Sequence, residues 1–134
     1  NRRELEAALG AGVDLTRDPH ALVLARQRLA VDNLLVTLGA DGMALVTPEG
    51  ARTQIPSRAR EVFDVSGAGD TVTAWVACAL ATGGTVLEAA YLANYAAGIE
   101  VGKSGVATVS AAEVLAVYDE ENDAIGRLRR GGAI

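Results

Sequence analysis

The sequence predicts an α/β fold in which a layered sheet is flanked by helices, and three features of the chain predict it. Two short apolar runs, NLLVTLG and GMALVTPEG, have the length and turn punctuation of strands. From Thr71 onward the chain holds Ala-rich apolar stretches too long for strands and bounded by glycines. Thr85 with Glu88 and Ser110 with Glu113 are two capping-box pairs, each opening a helix. Strands followed by buried helices favour packing in α/β layers.

In chain order, residues 2–10 carry Leu5, Ala8 and Leu9 at helical spacing and stop at Gly10. Residues 11–19 read as a loop. Residues 19–31 place Leu22, Ala25, Leu29 and Ala30 on one helical face. Two strands joined by an ADG turn then form a hairpin over residues 34–47. Residues 51–65 are extended, with Pro56 at an edge or a bend. Residues 71–84 and 85–105 read as two buried helices, and a further helix begins at Ser110. There is no tandem repeat or low-complexity tract.

Composition narrows the function classes. The chain has 134 residues, one domain's worth, with 50% hydrophobic and 22% charged residues, which excludes a wholly disordered chain. One cysteine and one histidine exclude an internal disulfide framework and argue against a Ser-His-Asp triad or a His-rich metal site. A net charge of -5 argues against a general nucleic-acid partner. No apolar run reaches the roughly 18 residues of a membrane span, and the charged opening is not a signal peptide, so a cytoplasmic protein without a membrane partner is expected. Both ends suggest a piece of a longer protein, with a domain over residues 1–118 and a charged tail or linker over 119–134.

The segment EVFDVSGAGDTVTAW carries the most chemistry. Gly67, Ala68 and Gly69 let a ligand approach the backbone closely at a helix start, where free amides and the helix dipole make an anion hole suited to phosphate. Asp70 in that first turn repels an anion but suits a base that takes a proton from an attacking hydroxyl. An ordinary helix N-terminus with a first-turn acid fits the same spacing, and spacing alone leaves both readings open. Residues 97–104 match a relaxed Walker A pattern ending in Lys103-Ser104, but a helix precedes it and extended chain follows, against the context of a phosphate loop. Asn1 and Glu4 share a helix face and suit a hydrated magnesium ion, or else a solvated helix end. His20 reads as a surface residue, Cys78 as core, and Trp75, Tyr91 and Tyr95 as packing. Asp119-Glu120-Glu121 reads as a solvated helix end.

Three motifs in matching order resemble the C-terminal half of the ribokinase-like (PfkB) carbohydrate kinases. DVSGAGDTV is similar to that family's second signature, NRRE to its N-x-x-E motif and VTLGADG to its nucleotide-binding turn. Within the family, REVFDVSGAGDTV and ANYAAGIEVGKSGVATVS most resemble D-glycero-D-manno-heptose 7-phosphate kinases, whose heptose 1,7-bisphosphate product is a precursor of ADP-heptose. The resemblance implies a Rossmann-like layered fold, of which this is the C-terminal portion. It implies Asp70 as catalytic base, with Gly67, Ala68 and Gly69 holding the transferred phosphoryl group. Thr37, Gly39 and Gly42 would line ATP, Asn94 would lie by the adenine, and Asn1 and Glu4 would act on Mg2+ and the phosphates. Asp64 and Ser66, with the carbonyl of Gly105, correspond to a site for an activating K+. Ser66 stands where threonine is usual, or one place after it, which makes the K+ residues the loosest part of the match. ATP and a sugar phosphate are the implied partners, and a homodimer is admitted as the assembly. The sugar-contacting half of that fold is not in this chain, so the chain alone is expected to be poorly active or inactive. The alternatives are another sugar or nucleoside kinase of the family, an inactive nucleotide-binding module and a P-loop NTPase using Lys103.

Overall fold

The computed structural model describes residues 1–10 and 20–131, with side chains through Asp123. Its elements are α1 (Arg2–Leu9), α2 (Ala21–Leu29), β1 (Leu34–Thr37), β2 (Met43–Val46), β3 (Arg52–Ile55), α3 (Ala68–Ala81), α4 (Val86–Glu100) and α5 (Ala111–Gly131). The loop expected at residues 11–19 lies outside the described residues. The hairpin forms as expected, with Leu34 opposite Val46 and Thr37 opposite Met43. A single 3-10 turn over Gly39–Asp41 closes it. β3 adds to the other edge of β2, giving an antiparallel three-stranded sheet in the order β1-β2-β3.

Strand alternation sorts the core into two layers. Val36, Ala44 and Val46 face α1 and α2 and pack on Leu5, Leu9, Leu22 and Ala25. Met43 and Ile55, with Leu35, face α3 and α4 and pack on Val72, Ala90 and Ala93. β2 is therefore buried along its whole length, which is why MALV has no polar residue at any position. A smaller cluster of Tyr95, Ala96 and Val114 joins α4 to α5. Helices on both faces of a sheet make the layered α/β arrangement that the sequence predicts.

Of the extended segment 51–65, Arg52–Ile55 forms β3, which stops where Pro56 lacks the amide that would extend the ladder. Three expectations need correction. α3 buries only Val72 and Ala79, so its Ala-rich composition marks a helix with a broad open face instead of a buried one. Cys78 lies on that face and is exposed. The acidic run is not merely solvated. Glu121 accepts from Arg58 at 2.8 Å and from the Tyr95 hydroxyl at 2.7 Å, and Glu120 pairs with Arg60 at 3.3 Å. α5 passes through residue 118 without a break.

Candidate active site

The Ser-Gly-Ala-Gly-Asp segment opens a helix, as its residues dictate. Gly67 is the N-cap of α3 and adopts a left-handed φ of 91°, a conformation that costs glycine nothing. No side chain caps this end. The first-turn amides of Gly69 and Asp70 therefore lack intrahelical acceptors and are free for a ligand. The same end carries the positive pole of the helix dipole.

Two adjoining cavities meet at this turn. The first holds about 350 Å3 and is lined by Asn1, Thr37, Gly39, Gly42, Ala68, Gly69 and Asn94, with Gly98 opposite. The second, of about 610 Å3, is lined by Asp70 with Asn1, Glu4, Thr37, Gly69 and Thr73. Asn1, Thr37 and Gly69 border both and form the seam between them. Nine of the residues singled out from the sequence thus converge, although they come from α1, the β1–β2 turn, α3 and α4. Gly67, Asp64, Ser66 and Gly105 are not among the residues lining either cavity.

Each group is held by local chemistry. The Asn1 side chain accepts from the Glu4 amide at 3.1 Å and caps α1, which sets Asn1 at the rim. Gly42 has a φ of 82°, and a Cβ there would collide with the Ile55 carbonyl and stand 2.5 Å from the Ser57 amide. Only glycine lets the β1–β2 turn lie against the end of β3 and the Pro56–Ser57 backbone that follows it. Asn94 is 3% exposed, and its Nδ2 donates to the Pro56 carbonyl at 2.8 Å. That bond positions α4 along the cavity and leaves the amide oxygen as its remaining polar atom. The Ser66 amide donates to Asp64 Oδ1 at 2.8 Å, and this bond holds the Asp64 carboxyl below its ordinary range. Among the described residues no group of three or more His, Cys, Asp or Glu could by itself hold a metal ion. Asn1 and Glu4 instead fit a Mg2+ that takes one or two protein ligands and its remaining oxygens from phosphates and water.

Lys103 has no part in a phosphate loop. It follows α4, and its Nζ donates to the Thr108 carbonyl at 2.7 Å and pairs with Glu113. Two residues of the site were not read from the sequence. A Cβ on Gly98 would stand 2.8 Å from the Arg58 backbone, so glycine inside α4 marks a close chain crossing beside the first cavity. Glu100 is completely buried at the end of α4. Both had a visible signal, a glycine and an acid interrupting the apolar run YAAGIEV.

A three-layer α/β fold with an uncapped helix start between two cavities defines a domain of the ribokinase-like fold class. Comparison with known proteins gives the same class. The ribokinase of Thermotoga maritima superposes with a TM-score of 0.77 at 27% identity, over 89% of this chain and 40% of that one. The Arabidopsis thaliana ribokinase solved with ribose and ATP gives a TM-score of 0.67 at 30% identity, over 75% of this chain and 34% of that one. The profile of the pfkB family carbohydrate kinases matches residues 1–113, and the chain belongs to that family. Among curated relatives, the bifunctional protein HldE of Paramagnetospirillum magneticum is 46% identical over 132 residues, which is 96% of this chain and 27% of that protein. The chain spans about a quarter of the length of the curated relatives it matches. Among the described residues no helix is long and apolar enough to cross a membrane.

Proposed function

We propose that the chain carries the phosphoryl-transfer half of an ATP-dependent sugar kinase that converts heptose 7-phosphate to heptose 1,7-bisphosphate. The carrying observation is the meeting of the bare α3 N-terminus with Asp70, Asn1 and Thr37 at the seam of two cavities. One cavity takes the nucleotide against Thr37, Gly39, Gly42 and Asn94. The other takes the acceptor hydroxyl beside Asp70. The heptose reading rests on the motif likeness and is supported by the HldE relatives.

In this reading Asp70 accepts the proton of the anomeric hydroxyl as its oxygen attacks the γ-phosphorus. The new O–P bond forms while the bond to the β-phosphate oxygen breaks, and ADP leaves. Of the Gly67, Ala68 and Gly69 turn assigned to the transferring group, Gly69 offers a free amide, which with that of Asp70 stabilises the charge through positions fixed before reaction, while the Ala68 amide donates to the Val65 carbonyl at 3.4 Å. Mg2+, when bound with the nucleotide, neutralises phosphate charge, and Asn1 and Glu4 are the residues that would hold it. Asp64, Ser66 and the carbonyl of Gly105 are the residues that would hold a monovalent cation supporting the loop. The chain alone supplies only this half of the site, and it is expected to be inactive by itself.

The test is phosphotransfer by the longer protein expected to contain this chain, assayed with heptose 7-phosphate, ribose, fructose 6-phosphate and inosine. Turnover of the heptose phosphate at least about 100-fold above the others is expected. Preference for another acceptor would leave a family kinase but overturn the heptose assignment. No transfer to any acceptor, with ATP still bound, would favour an inactive nucleotide-binding module.

A further inference from the structure

Residues 57–62 help to wall the first cavity without belonging to a helix or a strand. Among the described residues they make no backbone–backbone hydrogen bond. Such a segment is placed by its ends and its side chains, because its backbone does not fix it. Its ends are tied to α4. The Asn94 amide donates to the Pro56 carbonyl at 2.8 Å, and the Phe63 amide donates to the Val101 carbonyl at 2.8 Å. Between the ends the side chains divide. Ser57 and Ala59 line the first cavity, whereas Arg58 and Arg60 line a different one of about 430 Å3. Both arginines are held by acids of α5. Arg58 Nη1 donates to Glu121 Oε2 at 2.8 Å, and Arg60 pairs with Glu120 at 3.3 Å. Arg58 and Glu121 are 37% and 24% exposed, against 63% and 65% for the other pair, so the first pair is the less screened and holds the segment more firmly. Glu121 is itself fixed from α4, because the Tyr95 hydroxyl donates to the same oxygen at 2.7 Å. Glu113, at the start of α5, bonds Lys103 and the Ser110 amide instead.

We infer that Glu121 is a positioning residue for the nucleotide: from α5 it holds Arg58, and through Arg58 it holds the wall of the cavity that takes ATP. The inference rests on the reading of the first cavity as the nucleotide site. A ligand that meets an ordered wall binds more tightly than one that must order the wall itself. Removing the ion pair shifts that ordering into the binding step. A partly exposed pair of this kind converts to about a two- to fivefold change in affinity. The coupling is reciprocal, so bound ATP should in turn hold the wall in place. Neither Arg58 nor Glu121 lines the cavity that holds Asp70, so the chemical step itself should not change.

The experiment uses the longer kinase proposed to contain this chain, unaltered and as Glu121→Gln, Arg58→Ala, the double variant and Glu113→Gln. Three quantities are read: ATP Kd, kcat, and the rate of trypsin cleavage of the Arg58–Ala59 bond, followed by mass spectrometry. Glu121→Gln is expected to raise the ATP Kd about two- to fivefold and to leave kcat within about twofold. Adding Glu121→Gln to Arg58→Ala should weaken ATP no further, because Glu121 acts through Arg58. Glu113→Gln removes an ion pair from the same helix and should leave the ATP Kd unchanged. Without ATP, Glu121→Gln should be cleaved faster than the unaltered protein, and ATP should slow that cleavage, because proteolysis follows the open population of the segment. An unchanged ATP Kd in Glu121→Gln, additive losses in the double variant, or an equal loss in Glu113→Gln overturns the inference. Faster cleavage with an unchanged ATP Kd would keep the hold of Glu121 on the wall and overturn its link to the nucleotide. If Glu121→Gln does not fold, Glu121→Asp replaces it, with the same direction expected from a retracted carboxylate. ATP binding without transfer to any acceptor would count against the kinase reading alone, and absence of ATP binding in the unaltered protein would overturn both.

Discussion

Asp70 bears the chemistry of the proposed site, and its position decides its role. It stands in the first turn of α3 and lines the cavity next to the free amides instead of capping its own helix. In the longer kinase proposed to contain this chain, Asp70→Asn is expected to leave ATP affinity within about twofold and to lower kcat by roughly 100- to 10,000-fold, the usual contribution of a positioned base. Steady-state kinetics with a parallel nucleotide-binding titration checks this, and undiminished kcat would remove Asp70 from the role. Gly42 answers a different demand. Its φ of 82° and the backbone packed against its α-carbon leave no room for a side chain. Gly42→Ala should destabilise the fold by roughly 2–4 kcal/mol, combining backbone strain with overpacking, as measured by urea unfolding.

Among the elements, α4 and α5 meet through a charged junction whose pH response follows from its bonds. Lys103 and the Ser110 amide and hydroxyl hold the Glu113 carboxyl down from 4.5 to about 2. A carboxyl depressed in the folded state contributes stability above its unfolded pKa and loses it as pH falls. The Glu113 contribution should therefore be complete above pH 4.5 and disappear between pH 4.5 and about pH 2. The Tm difference between the unaltered protein and Glu113→Gln, followed by circular dichroism across that window, should shrink toward zero at the acid end. A difference that does not change with pH would show that the ion pair is not the cause. α3 shows how composition misleads at this scale. Its residues are apolar enough for a buried helix, yet Leu80 is exposed along with Cys78. Apolar content reports what a helix tolerates, whereas burial depends on which neighbours arrive.

At the scale of the whole molecule, one arginine joins the irregular segment after β3 to both C-terminal helices. Arg58 pairs with Glu121 and lies 5.1 Å from the ring centre of Tyr95. Tyr95 in turn meets the Tyr118 ring edge-on at 6.0 Å. Arg58→Ala should cost about 1 kcal/mol, the sum expected of a half-exposed ion pair and a surface cation–π contact. Denaturant unfolding of Arg58→Ala, Glu121→Gln and the double variant checks it, with a coupling energy near zero as the contrary result. The same segment forms the outer wall of the first cavity through Ser57, Ala59 and Val62, so loosening it should also weaken nucleotide binding.

The sequence by itself determined the hairpin, the helix starts at Asn1, Thr85 and Ser110, and the uncapped turn at Gly67. Each of these depends on neighbours within a few residues, where dihedral preference and capping bonds act. It also marked nine of the residues that later line the two cavities, because a family of motifs keeps its spacing. Tertiary structure alone decided that Asn1, Thr37, Gly69 and Asn94 share a wall, that Cys78 faces outward, and that Glu121 is bound to Arg58. It alone placed Glu100 beneath Gly67, a juxtaposition of residues 33 apart in sequence. Burial and partnership are properties of layers that meet in space, and no local pattern states which side chain lies opposite.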